Sequence, residues 1–216
     1  MSDIFNEVDE EVRREQLKKL WERYGNLIIA AAFLIVAGVA AWRGYEYWQA
    51  RKAAEAGAVY ESALKLSDEG KHTEAEDTFG KLATQGTTGY RALARLRQAA
   101  ELGATDPKAG VAAYDTIAGE SGPSLIRELA GIRAAMLLLD TAKLDEMTQR
   151  LEPLTQPTSS FRHTARELLA LSAWRNGDAA AARKWAEAAT SDPEVPPGIR
   201  ARAEVLNTLL ADTSKT

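Results

Sequence analysis

This sequence contains two histidines, and neither has the neighbours that metal or acid–base chemistry needs. His72 lies at a turn in "EGKHTEAE" and His163 opens a helix in "SFRHTARE". No second histidine and no cysteine stands at ligand spacing, so each reads as a solvated or capping residue. The carboxylate pairs Glu74/Glu76 and Asp115/Glu120 fall on helix faces expected to be solvated. A Gly-rich phosphate loop, an HExxH pair and a nucleophile elbow are all missing from the sequence. The residues therefore point to no catalytic group, no metal site and no cofactor, and enzyme activity is not expected. With 27 basic and 31 acidic residues the net charge is −4. No like-charge block reads as a nucleic-acid-binding tail, so nucleic acid is not an expected partner.

What remains is recognition chemistry, carried by guanidinium, amide and aromatic side chains on helices. Arg91, Arg95 and Gln98 in one segment, and Trp174 with Arg175 in another, are the candidates for touching a polypeptide. Each lies on the first helix of an expected helix pair, the helix that lines the binding surface of such arrays. Trp174 is also spaced as a packing residue, as are Trp185, Tyr60, Tyr90 and Tyr114.

The elements that must position these residues are helical throughout; after Tyr47 no alternating strand pattern occurs. Turn signals such as Asp68-Glu69-Gly70, Gly86-Thr87, Leu102-Gly103, Gly119 to Pro123, Asp140 to Lys143, Pro153 to Ser160, Asn176-Gly177-Asp178 and Asp192 to Pro197 divide the chain. They predict helices near 44–68, 72–85, 88–102, 106–118, 123–140, 143–152, 160–176, 178–190 and 197–211. Gly70, Gly103, Ala142 and Gly177 mark a period among the turns, each expected to end one helix and open the next. A small residue follows at Ala75, Ala109 and Ala182, where the second helix must approach the first closely; Met147 breaks that rule. The expected fold is all-α: one N-terminal transmembrane helix, then a tetratricopeptide-like α-solenoid of about four helix pairs with a C-terminal capping helix.

The transmembrane expectation rests on Tyr24 through Trp42, 19 uncharged residues bounded by Arg23 and Arg43. As a helix this run covers about 28 Å, close to a bilayer's hydrocarbon core. Eight strongly apolar side chains contribute roughly −2 to −5 kcal/mol to insertion. Trp21, Arg23 and Tyr24 on one side, and Trp42, Arg43, Tyr45, Tyr47 and Trp48 on the other, suit the two lipid interfaces. A soluble core helix would show a polar face between residues 27 and 41. A cleaved signal peptide would have a short basic leader; residues 1–23 instead carry seven acidic and five basic groups. The anchor is the stronger reading. Five basic residues precede the span (Arg13, Arg14, Lys18, Lys19, Arg23) and three follow it (Arg43, Arg51, Lys52). That bias favours a cytoplasmic N-terminus. The expected domains are a cytoplasmic tail over 1–23, a span over 24–45 and a periplasmic domain over 46–216.

The tail "SDIFNEVDEEVRRE", the span "YGNLIIAAAFLIVAGVAAWRGYEYW", and the later "AGAVYESAL" and "YRALARLRQA" together resemble the YfgM-type family. These are bacterial inner-membrane proteins with one span and a periplasmic tetratricopeptide-like domain. "LKKLWERYG" looks like the family's alphaproteobacterial branch. The resemblance covers essentially the whole chain and is most specific at the junction of tail and span. It implies N-in, C-out topology in the inner membrane. It also implies association with the Sec translocon and a periplasmic prolyl-isomerase-like chaperone, and assistance to exported client polypeptides. The alternative from another functional class is an envelope-assembly scaffold or regulator not tied to the translocon. A third, a released periplasmic protein, would require cleavage near Ala41.

Overall fold

The computed structural model of the chain describes residues 3–213, with side chains placed for 14, 15 and 17–211. Helix α1 spans Asp3–Asp68, followed by α2 (His72–Gln85), α3 (Thr88–Thr105), α4 (Pro107–Gly119) and α5 (Ser124–Leu138). Then come α6 (Leu144–Leu151), a 3-10 turn (Glu152–Thr155), α7 (Arg162–Arg175), α8 (Ala179–Thr190) and α9 (Pro197–Thr213). No strand occurs among the described residues. Two compact units make up the chain, Met1–Ala54 and Glu55–Thr216.

Local chemistry sets the breaks between these helices. Gly70 and Gly177 adopt left-handed backbone, φ 75° and 79°. Just beyond each, Lys71 N–H returns to the Leu66 carbonyl at 2.9 Å and Asp178 N–H to the Ala173 carbonyl at 2.9 Å. Both ends are Schellman closures, which satisfy carbonyls the helix would otherwise leave open. At the start of α4 the Asp106 carboxylate accepts from the N–H groups of Lys108 and Ala109, with Pro107 in the first turn. Asp178 does the same for Ala181 at the start of α8.

Two expectations about the repeat need correction. Gly103 does not end a helix: α3 continues to Thr105, and Gly103 is buried inside it. The small residue at the second crossing is Gly110, not Ala109, which is only half-buried. Both glycines serve close approach rather than a turn. The period is more regular as a result. The N-caps of α2, α4, α6 and α8 are Lys71, Asp106, Lys143 and Asp178, spaced 35, 37 and 35. Four residues into each helix stand Ala75, Gly110, Met147 and Ala182; eight residues in stand Phe79, Tyr114, Leu151 and Ala186. All eight are buried.

The first helices answer with a matching alanine, Ala63, Ala99, Ala135 and Ala170, each at most 2 % exposed. In α-helices a side chain of that size lets two backbones pack closely. Each cluster also takes buried residues from the next first helix. Ala94 of α3 closes the first cluster, Ala130 and Ala134 of α5 the second, Ala165 of α7 the third. Ala203 and Leu206 of α9 close the last, so α9 covers the fourth pair as a cap. Nearest-neighbour burial of this kind is how a solenoid builds a continuous core.

Candidate functional site

In the first unit the apolar stretch of α1 lies open. Leu27, Ile28, Ile29, Phe33, Leu34, Ile35, Val36 and Val39 are each more than half exposed. In this α1 differs from a core helix, which buries its apolar face. It is the one helix among the described residues long and apolar enough to cross a membrane. Its flanking side chains contact neighbours one to four residues away along the helix. The Trp21 ring lies over Gly25, and the Arg23 guanidinium over Tyr24, 5.6 Å from its centroid. Arg43 pairs with Glu46 at 3.1 Å. Gln49 donates to the Tyr45 hydroxyl at 2.6 Å, and the Lys52 ammonium sits 3.7 Å over Trp48.

In the second unit the candidate partner-binding residues fall into two groups that the fold does not unite. Arg91, Arg95 and Gln98 lie on α3, Trp174 and Arg175 at the end of α7, with α5 touching both helices. Arg95 makes a two-pronged pair with Glu120, both distances 2.5 Å. That contact holds the Glu120 carboxyl below its usual range. Gln98 donates to Glu76 at 3.1 Å and roofs Gly80, where a Cβ would approach its Nε2 to 3.0 Å. Arg175 donates to the Asp140 carbonyl at 2.8 Å and to the Ala142 carbonyl, closing the loop after α5. Those three are engaged within the fold. Arg91 and Trp174 are exposed, Trp174 at 48 %, so its expected packing role does not hold.

The histidines also differ from expectation. His72 bonds the buried Glu101 through Nδ1 at 2.7 Å, and Ser67 donates to the same carboxylate at 2.7 Å. Glu101 thus ties the end of α1 and the start of α2 to α3. His163 is buried rather than solvated. It lies 3.7 Å from Asp192, which also receives Arg162 at 3.2 Å and Arg166 at 2.9 Å. Its imidazole is held below the ordinary value by burial and then by Arg162. The Asp192 carboxyl is lowered to about 2 by the Glu194 N–H and the two guanidiniums. Arg162 reaches Glu194 as well, and Arg166 donates to the carbonyls of Thr155 and Ala188. This cluster pins the α8–α9 connection to α7, and within it the buried His163 Nδ1 has no hydrogen-bond partner. Among the described residues no three His, Asp or Glu side chains gather as for a metal.

Compared with protein families, residues 18–204 match the tetratricopeptide repeat-like domain. The chain belongs to that family. Comparison with curated proteins found no match, and comparison with solved structures found none either. A tetratricopeptide repeat-like fold is a protein-interaction scaffold rather than a catalytic one, which directs attention to its exposed side chains. On that measure Arg97 and Arg133, passed over in the sequence reading, stand out: both are exposed on first helices. The signal for them was present as "RALARLR" and "RELAGIR", two copies 36 residues apart.

Proposed function

We propose that this chain is a membrane-anchored protein-interaction module. Residues 1–23 form a cytoplasmic tail, 24–45 the span, and 46–216 a periplasmic tetratricopeptide-like domain of a bacterial inner-membrane protein. The observation that carries this reading is the exposed apolar stretch of α1, bounded by Trp21, Arg23 and Tyr24 and by Trp42, Arg43, Tyr45 and Trp48. Lipid is the medium that such a surface fits, because its aromatic ends and arginines suit headgroups while its centre suits hydrocarbon. The excess of basic residues before the span supports N-in topology.

The module's partners, in this reading, are the Sec translocon, a periplasmic prolyl-isomerase-like chaperone and polypeptides emerging from the translocon. The resemblance to the YfgM-type family supports those identities, and the repeat fold supports the general role. Site-specific crosslinkers placed through residues 50–216 in native membranes are expected to capture translocon subunits, the chaperone or exported clients. Recovery of none of these at saturating crosslinking removes the translocon assignment. A morphology defect on depletion, with export unchanged, points to envelope assembly instead.

A further inference from the structure

The first helices of the second and third pairs carry copies of one short pattern. "RALARLR" is residues 91–97 of α3 and "RELAGIR" is residues 127–133 of α5. The copies are in structural register, since the packing alanines Ala99 and Ala135 are 36 apart as well. In each copy the central alanine, Ala94 or Ala130, is fully buried and the final arginine, Arg97 or Arg133, is exposed. Leu93 is four residues before Arg97, and Met136 three after Arg133, so each shares its arginine's helix face. They are 45 % and 44 % exposed.

No carboxylate pairs with either arginine among the described residues. Arg97 donates only to the Tyr60 hydroxyl, at 3.3 Å. The two glutamates on these helices are engaged elsewhere, Glu101 by Ser67 and His72, Glu128 by Ser159 at 2.8 Å. Helices α3 and α5 touch, and packed helices lie about 8–10 Å apart axis to axis, which sets the scale of the separation between arginines at equivalent positions.

The surroundings make this excess charge informative. Helices α3 and α5 carry five arginines against two glutamates, whereas α2, α4 and α6 carry six acidic residues against three basic ones. An uncompensated cationic pair therefore stands beside exposed apolar side chains on a chain of net charge −4. We infer that Arg97, Arg133, Leu93 and Met136 form a docking face for an extended acidic polypeptide segment with an apolar side chain between its carboxylates. In an extended polyproline-II chain, with three residues per turn and a rise of about 3.1 Å per residue, carboxylates three residues apart lie on one edge about 9 Å apart and meet both guanidiniums. Arginine's planar fork suits each of those carboxylates. This names the partner chemistry of the proposed interaction module and rests on that reading.

The test uses the full chain in zwitterionic nanodiscs and a fluorescein-labelled peptide of repeating Glu-Leu-Gly units, followed by fluorescence anisotropy. Its counterpart carries Lys in place of Glu. The acidic peptide is expected to bind, more weakly as salt rises, and the lysine peptide is not. Replacing both arginines, Arg97→Gln with Arg133→Gln, is expected to weaken binding about tenfold as two charge contacts are lost. Lys81→Gln with Lys108→Gln removes equal charge from the second helices and leaves binding unchanged. Circular dichroism confirms that each variant folds. Equal binding of both peptides, no binding of the acidic one, or full binding by the arginine variant overturns the inference. So does capture of peptide-free anionic vesicles through the same two arginines, which would assign the face to lipid. If crosslinking still captures polypeptides while the acidic peptide fails, only this face is refuted; if both fail, the interaction-module reading falls with it.

Discussion

Gly103 of α3 and Gly110 of α4 meet backbone to backbone. A Cβ added to Gly110 would stand 2.4 Å from the Gly103 Cα and 2.7 Å from its nitrogen. Backbone cannot swing aside as a side chain can, so the helices themselves would have to part. Gly110→Ala is therefore expected to destabilise the second pair. The clash costs about 1–3 kcal/mol as overpacking, offset in part by alanine's better helix propensity. Gly89, also helical, has nothing within 4 Å of an added Cβ. Gly89→Ala is expected to stabilise, by up to about 1 kcal/mol. Urea unfolding of the two variants in detergent, followed by helicity, reads the opposite signs.

How much of this was legible in the sequence differs between backbone and side chains. Asn176-Gly177-Asp178 and Asp106-Pro107 each announce a break by local chemistry, a left-handed glycine and an N-cap before proline. Such signals act within a few residues, so the expected helices from residue 72 onward are found with ends displaced by only a few residues, whereas the one expected near 44–68 is the last part of α1, which begins at Asp3. Gly103 misled because glycine serves two purposes, left-handed turns and close approach, and the letter does not say which. The candidate partner residues were harder still. Arg95 is engaged by Glu120, 25 residues away, and Arg175 by carbonyls 35 and 33 residues away. A helical period places a side chain on a face but says nothing of what reaches it from the next pair.

The cluster around Asp192 makes stability fall toward acid in two stages. His163 has a folded pKa below its ordinary 6.5, so the unfolded chain binds that proton first. Its contribution is complete above about pH 6.5 and fades as pH drops through the lowered value. Asp192 is lowered from 3.8 to about 2, so its contribution is present above pH 3.8 and lost as pH falls through about 2. His163→Gln is expected to flatten the first decline only. Asp192→Asn abolishes the second and destabilises at neutral pH, because Arg162 and Arg166 lose their shared counter-charge. Thermal unfolding across pH 2 to about 8 separates the two variants; coincident curves would exclude this assignment.

A single charge should test the anchor because the proposed span has little free energy in reserve. Its eight apolar side chains supply roughly −2 to −5 kcal/mol, and a central arginine costs about 2.5–3.5 kcal/mol. Leu34, 70 % exposed in the middle of that stretch, touches no core that its loss would disturb. Leu34→Arg is expected to move a large share of the protein out of the alkali-resistant membrane fraction. Adding Val36→Arg should complete the shift while the repeat domain stays folded. Retention of the double variant in that fraction means that residues 24–45 do not hold the chain in the membrane.

Met147 is the exception to the small-residue position, and the reason lies in the loop before it. Where the other pairs bring Ala75, Gly110 or Ala182 to the crossing, the third inserts a methionine that is fully buried. Four residues, Leu139 to Ala142, separate α5 from the N-cap Lys143, whereas α3 runs straight into Asp106. The longer connection accompanies a crossing filled by side chain rather than by backbone approach: Met147 packs among Ile132, Ala135, Ala142, Leu151, Ala165, Leu168 and Leu169. A flexible thioether fills such irregular space well. Met147→Ala, although it restores the residue found elsewhere in the repeat, is therefore expected to open a cavity and cost about 2–5 kcal/mol. Met147→Leu, close in volume, should cost less than about 1.5 kcal/mol. Urea midpoints for the two variants decide between a filled gap and a misplaced repeat residue: if alanine matches or exceeds the native stability, the crossing is close already and the methionine fills nothing.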